Sequence, residues 1–205
     1  MMPKFTSKSV FFYIVFSLFL IQENYAQDEF NKWVFGIGLN AIDYFPSHAP
    51  NTGNDNGFLN EFANARDHWN ISGPQILATR HLVNNLSVDG LLAFNNITKY
   101  GDVAVDGTTY VGIDINLRYS FMDTSNDFTI FMLAGGGYTF ANYSGATINI
   151  GTGANYWFTD KVGLNVEALY KYNSDDFKLA PHFYYGLSLV FRMNSGNSAS
   201  WRNCN

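Results

Sequence analysis

Between Thr109 and Phe121 the chain alternates almost without interruption. Val111, Ile113, Ile115, Leu117, Tyr119 and Phe121 share one parity, and Gly112, Asp114, Asn116, Arg118 and Ser120 share the other. A period of two is the signature of a strand, because successive side chains leave opposite faces of the pleat. A strand of about a dozen residues is roughly twice the length usual in soluble sheets and suits the roughly 9–11 tilted residues that cross a bilayer. Period and length together leave few folds open to such a chain.

The pattern recurs over residues 33–41, 86–95, 147–158, 162–171 and 182–192, giving six strands in all. Two further stretches are weaker. Residues 128–140 are apolar and Gly-rich (Gly135, Gly136, Gly137) without a clean parity, and residues 69–80 contain Pro74, which cannot donate a ladder hydrogen bond. The spacing of the chain requires a strand in each, so eight strands are expected. Short turns at 81–85, 122–127 and 159–161 alternate with longer links at 43–68, 99–108 and 173–180, the short 141–145 link being the exception. Short turns on one rim and long loops on the other characterise transmembrane barrels.

Alternation alone does not separate a membrane barrel from a soluble one, which also alternates, with its apolar face inward. Composition decides between them. A polar parity bathed in water should carry many Lys, Glu and Arg, yet here it is mostly Gly, Asn, Ser and Thr, and charged residues make up 14% of the chain. Small residues suit a narrow interior. The apolar parity carries aromatics towards strand ends (Trp33, Tyr110, Tyr119, Phe121, Tyr156, Phe158, Tyr170, Phe183, Phe191), as expected of girdles at two membrane interfaces.

The N-terminus reads as an export signal. Lys4 and Lys8 precede an apolar run over 10–21, and Ala26 supplies a small residue at the cleavage point. Residues 1–26 are therefore expected to be a signal peptide, 27–193 an outer-membrane β-barrel domain and 194–205 a short polar tail. Loss of Lys4, Lys8 and Glu23 leaves 10 basic against 16 acidic residues. A net charge near −6 speaks against nucleic acid as a partner. The single cysteine, Cys204, can form no internal disulfide.

Candidate chemistry lies on the polar parity. Asp89, Asp114, Arg118, Glu167, Lys171 and Arg192 would all point into the lumen, both signs together, and ionised groups persist in a narrow low-dielectric space only when paired or hydrated. Two readings are open: a hydrogen-bonded plug that holds the barrel shut, or a gated narrow pore whose ion pairs exchange partners. Catalysis finds little support. His182 and Ser188 share a parity but stand six residues apart, roughly 20 Å along a strand. His48 and His68, with Asp43, Asp55 and Asp67, leave a loop or weak metal site open. Motifs for phosphate, dinucleotide or structural zinc are absent. No catalytic, cofactor-binding or metal residue is assigned.

The opening strand (33–43), the Asn-Ile-Thr-Lys-Tyr-Gly-Asp stretch (96–102), Leu-Ala-Gly-Gly-Gly-Tyr-Thr (133–139), Gly-x-Gly-x-Asn-Tyr-Trp-Phe-Thr-Asp (151–160) and Gly-Leu-Asn-Val (163–166) resemble the N-terminal barrel of OmpA-type outer-membrane proteins. The resemblance covers nearly all of the expected mature chain. It implies an all-β, eight-stranded antiparallel up-and-down transmembrane β-barrel, a porin-like cell-envelope protein of the Gram-negative outer membrane, without enzymatic activity. Family members often continue into a peptidoglycan-binding domain, whereas here a short Ser/Asn tail follows, so an OmpX-like stand-alone barrel is the closer comparison. It also implies contact with outer-membrane lipid and the barrel-assembly machinery, with Phe183, Tyr185, Leu187, Leu189 and Phe191 as the insertion signal; the same residues serve equally as plain lipid-facing side chains. Two functions remain open. One is a structural and interaction protein presenting loop 43–68, with Trp69, Phe58 and Phe62 as contacts. The other is a narrow gated pore for ions or small solutes, suggested by Gly36, Gly38, Gly151 and Gly153 on the polar parity.

Overall fold

The computed structural model describes residues 32–44, 65–101, 103–122, 126–173 and 179–193. The expected signal peptide and tail lie outside these residues, as do Phe58 and Phe62.

Strands form where alternation expects them. They are β1 (Trp33–Asp43), β2 (Asn70–Val83), β3 (Leu86–Tyr100), β4 (Val103–Ser120), β5 (Phe128–Phe140), β6 (Gly145–Trp157), β7 (Val162–Tyr172) and β8 (His182–Met193), with a single helical turn, α1 (Ala65–His68), ahead of β2. Every strand pairs antiparallel with its sequence neighbours, and β1 closes on β8 with Trp33 opposite Met193 and Asp43 opposite Phe183. Closure leaves no strand edge, so the wall satisfies its own backbone groups, as hydrocarbon demands.

The outward parity is apolar and uncovered. Ile115 is 66% exposed and Ile148 68%, with Ile37, Leu39, Ile113, Ile150 and Leu187 also exposed. A water-soluble barrel would bury this face, so the exposure decides for a lipid environment. Aromatic residues border the aliphatic band at both ends. At the end carrying the short turns, Trp33 stacks with Phe35, Tyr119 meets Phe121 edge-on and Tyr156 meets Phe158. At the loop end, Tyr138 packs with Phe140, and Tyr170 with Phe183. Tyr110 departs from the expected girdle: it shares the parity of Gly112 and Asp114 and is fully buried inside.

Three stretches differ from the alternation reading, each for a physical reason. Residues 99–108, expected as a loop, continue β3 and β4 as a hairpin turning at Gly101, whose φ of 57° suits glycine. Thr98, Tyr100, Val103 and Val105 are good strand formers, and a bulge places Ile97 opposite Thr108 but Lys99 opposite Ala104. In β5 the inward positions Phe131 and Leu133 are apolar and buried, so both parities read alike. In β2, Gly38 pairs with Gln75 but Asn40 with Ser72, so Gly73 and Pro74 together face Leu39. Pro74 thus sits at a bulge, where its missing N–H is tolerated, and the extra residue switches which parity faces inward.

That bulge opens a seam. Backbone pairing of β2 with β3 begins only at Gln75 opposite Ala93. Beyond it three asparagines replace the ladder. The Asn70 Oδ1 accepts from the Thr98 and Lys99 backbone N–H groups at 2.8 and 2.9 Å, and its Nδ2 donates to the Lys99 and Ile42 carbonyls at 2.9 and 3.2 Å. The Asn95 amide donates to the Asn70 carbonyl at 2.8 Å and to Asn40 Oδ1 at 2.7 Å, and Asn40 donates to the Phe94 carbonyl at 3.0 Å. Asn70→Ala should therefore destabilise the folded barrel by about 2–4 kcal/mol, the cost of several stranded buried polar groups. Asn126→Ala, at an exposed turn position, should stay within about 0.5 kcal/mol of the parent. Urea unfolding in detergent micelles checks both, and equal midpoints would refute the bridging role of Asn70.

Candidate functional site in the barrel lumen

Alternation delivers the side chains of Asp89 (β3), Asp114 and Arg118 (β4), Glu167 and Lys171 (β7) and Arg192 (β8) to the interior; the first five are buried. They do not form one network. Arg118 approaches Asp89 Oδ2 through both Nε and Nη2 at 2.6 Å, with the Nε bond well aligned, while its guanidinium lies 3.7 Å over the Phe131 ring. Lys171 donates to Asp114 Oδ2 at 2.7 Å and to the Tyr110 hydroxyl at 3.2 Å, from a strand on the far side of the lumen. Asn149 donates to the other Asp114 oxygen at 2.9 Å and to Asn116 Oδ1 at 3.2 Å, and accepts from Thr147 at 2.9 Å.

Glu167 stands apart, its Oε1 buried with no hydrogen-bond partner among the described residues. It flanks Gln75 above Gly186, and Gln75 donates to Ser188 Oγ at 2.6 Å while accepting from the Tyr184 hydroxyl. Arg192 lies at the turn end, its guanidinium 3.8 Å over Trp157.

Several contributors escaped the reading of charge alone: Tyr110, Tyr184, Gln75, Asn149 and His182. Their signal was position, because Asn149, His182 and Tyr184 lie on parities already assigned to the interior. Tyr110 shares a hydrogen bond of 3.1 Å with His182, whose other ring nitrogen is 3.1 Å from the Ala180 carbonyl. Above them Tyr44 packs on Tyr100 at 4.5 Å and on His182 at 4.9 Å. Burial, with Tyr100 and Tyr110 close by, raises the Tyr44 hydroxyl above its usual range, so it remains neutral. These rings close the loop end.

The glycines expected to line a pore do not border open space. A methyl group at Gly151 would meet Leu169, and one at Gly153 would meet the ring of Phe131. A Cβ at Gly36 would stand 3.0 Å from Val190 and 3.3 Å from Leu77. Glycine admits large neighbours here. His182 and Ser188 both face inward and bond to different partners, and His68 is buried beside the rim. Among the described residues no three His, Cys, Asp or Glu side chains come together as a metal site. Phe183, Tyr185, Leu187, Leu189 and Phe191 form the outward face of β8, the strand that closes the barrel.

Breaking one buried pair should cost more than replacing both partners. Asp114→Ala leaves Lys171 charged and uncompensated, and should destabilise by about 3–5 kcal/mol. Asp114→Leu combined with Lys171→Met should recover most of that loss. Unfolding midpoints in urea compare the two, and a double variant no better than the single would show that the pair carries more than charge compensation.

No protein-family model matches the chain, and no curated protein matches its sequence. Solved structures do match in fold. The attachment invasion locus protein Ail of Yersinia pestis superposes with a TM-score of 0.51 at 13% identity, covering 80% of this chain and 99% of that one. Neisserial surface protein A gives 0.52 at 14% identity over 79% and 96% of the two chains. OprG of Pseudomonas aeruginosa gives 0.54 at 10% identity over 80% and 97%. The likeness is one of architecture, and it agrees with the uncovered apolar band and the closed strand order. The chain folds as a closed eight-stranded β-barrel with an uncovered apolar band, the architecture of these small outer-membrane proteins.

Proposed function

We propose that this protein is a non-enzymatic structural and interaction protein of the Gram-negative outer membrane, exported through its 1–26 leader. Its rigid barrel would carry the 43–68 segment to a partner protein or surface polymer. The observation that supports this most is the filled lumen: Tyr110, Tyr184, Phe131, Leu133, Leu169 and Lys171 are each at most 1% exposed. An eight-stranded barrel is just wide enough for side chains to fill, and such filling gives stiffness without a passage. The segment also has a fixed footing, since Trp69 stacks on Tyr185 at 4.3 Å and so belongs to the rim instead of the presented surface. Outer-membrane lipid meets the aliphatic band, and the outward face of β8 is what the barrel-assembly machinery would read.

The second reading, a narrow gated pore, draws on Glu167. A buried carboxylate oxygen without a partner is an alternative acceptor for Arg118 should the Asp89 pair part. Planar-bilayer recording on the refolded mature chain, beside a heat-modifiability gel, separates the two. The structural reading expects silence from a folded barrel; discrete openings altered by Arg118→Ala would overturn it in favour of the pore. Deletion of residues 47–66 should abolish partner capture from cross-linked envelopes while leaving the gel shift of the folded form intact. An unchanged set of captured partners would refute the role of the segment.

A further inference from the structure

Lys171 and His182 stand directly opposite each other on β7 and β8, and both are fully buried at the loop end of the lumen. Between them lies the Tyr110 hydroxyl, which receives a hydrogen bond from Lys171 Nζ at 3.2 Å and shares one with His182 Nε2 at 3.1 Å. The other imidazole nitrogen, Nδ1, is 3.1 Å from the Ala180 carbonyl. The Lys171 ammonium is anchored in turn on Asp114 at 2.7 Å.

The chemistry of the two ends fixes the direction of this chain. A carbonyl oxygen only accepts, so the proton facing Ala180 sits on His182 Nδ1. In a neutral imidazole the other nitrogen then accepts, so Tyr110 donates its hydroxyl proton to Nε2. An ammonium only donates, so the Tyr110 oxygen accepts from Lys171. The chain runs one way, from Lys171 through Tyr110 and His182 to Ala180, and it tolerates a single tautomer of His182.

A proton added at Nε2 reverses the middle link. Imidazolium donates from both nitrogens, so Tyr110 would face donors on two sides and have to turn its own proton to Thr139 Oγ1, 3.5 Å away. Two cations would then share one hydroxyl, while Asp114 is already engaged by Lys171 and Asn149. The other groups packed around the ring bring no compensating charge. Tyr44 beyond the end of β1, Tyr100 behind it on β3 and Tyr184 on β8 are phenols, and Asp43, opposite Phe183 in the register, takes the other parity of β1.

His182 also carries the ring cap. Tyr44 lies on it at 4.9 Å, Tyr110 meets it edge-on at 5.6 Å, and Tyr100 packs on Tyr44 at 4.5 Å. We propose that the loop end is an acid-operated latch: His182, held as its Nδ1–H tautomer, keeps the Tyr44, Tyr100 and Tyr110 rings together, and uptake of a proton at Nε2 parts them. The latch does not depend on whether the 43–68 segment binds a partner or whether the lumen conducts.

The test is long-range proton–nitrogen correlation NMR on the refolded mature chain in zwitterionic micelles, with isotope-labelled histidine and tyrosine, followed from neutral to acidic pH. Near neutrality His182 should show a protonated Nδ1 and a bare Nε2. On acidification the ring signals of Tyr44, Tyr100 and Tyr110 should shift along the same curve as the His182 nitrogens. His182→Gln should abolish that shift. Tyr110→Phe, which keeps the ring and removes the hydroxyl, should abolish it at Tyr44 and Tyr100, and serves where His182→Gln fails the heat-modifiability gel. A protonated Nε2 at neutral pH, a His182 titration that leaves the rings in place, ring shifts that survive these substitutions, or unfolding of the barrel before His182 takes up its proton would each overturn the proposal.

Discussion

The closed ladder between β1 and β8 is the constraint on which everything else in this molecule depends. Hydrocarbon offers no hydrogen bond to a backbone N–H or C=O, so a spanning sheet must leave no edge. Eleven register pairs from Trp33–Met193 to Asp43–Phe183 accomplish this. Closure in turn fixes the interior as a narrow tube, and its contents follow from width. Where two bulky groups would collide, one becomes glycine, as at Gly153 beneath Phe131. Where the wall itself parts, beside the bulge at Gly73 and Pro74, side-chain amides of Asn40, Asn70 and Asn95 take over from backbone amides. The seam obeys the same rule as the ladder, with different atoms.

Much of this was legible because lipid selects one parity so strictly. From Val111 onward in β4, and along most of β6 and β8, every second residue is apolar and outward, and the boundaries of β6 and β8 fall within a few residues of the alternation reading. The signal failed where the interior is itself apolar. Phe131 and Leu133 erase the contrast in β5, and the bulge in β2 inverts parity midway, which no fixed period can follow. The 99–108 stretch failed for another reason. A hairpin reaching past the apolar band alternates irregularly, since lipid no longer selects one of its faces, and propensity alone had to mark it as strand.

The lumen was legible as a set and not as pairs. Parity assigns Asp89, Asp114, Arg118, Glu167, Lys171 and Arg192 to the inside, but partner choice depends on how registers accumulate around the wall. Asp89 and Arg118 lie on adjacent strands, two registers apart, with Asp89 opposite Asn116 and Arg118 opposite Ser87. Asp114 and Lys171 lie on β4 and β7 and meet only because the barrel closes. Nothing within a single strand reports that meeting. The placing of Tyr110 makes the same point from the other direction: residue type suggested a girdle, while position put it beside Asp114.

Buried charge in a filled barrel needs a physical reason, because well-packed apolar side chains of similar volume are often as stable. The reason here is orientation. A strand apolar on both faces gains equally by turning either of them to lipid, and a slip of one residue exchanges the faces. Asp114, Asn116 and Arg118 make that exchange prohibitive for β4, because they would enter hydrocarbon unpaired. Leu77, between Gln75 and Thr79, and Leu169, between Glu167 and Lys171, show that single apolar residues are admitted inside when neighbours on the same strand still carry the preference. The ion pairs therefore act first on which face is inside and only second on how tightly the inside is held. That order explains why Asp114 and Lys171 are fully enclosed by Tyr110, Asn149 and Tyr184 instead of standing in a hydrated channel.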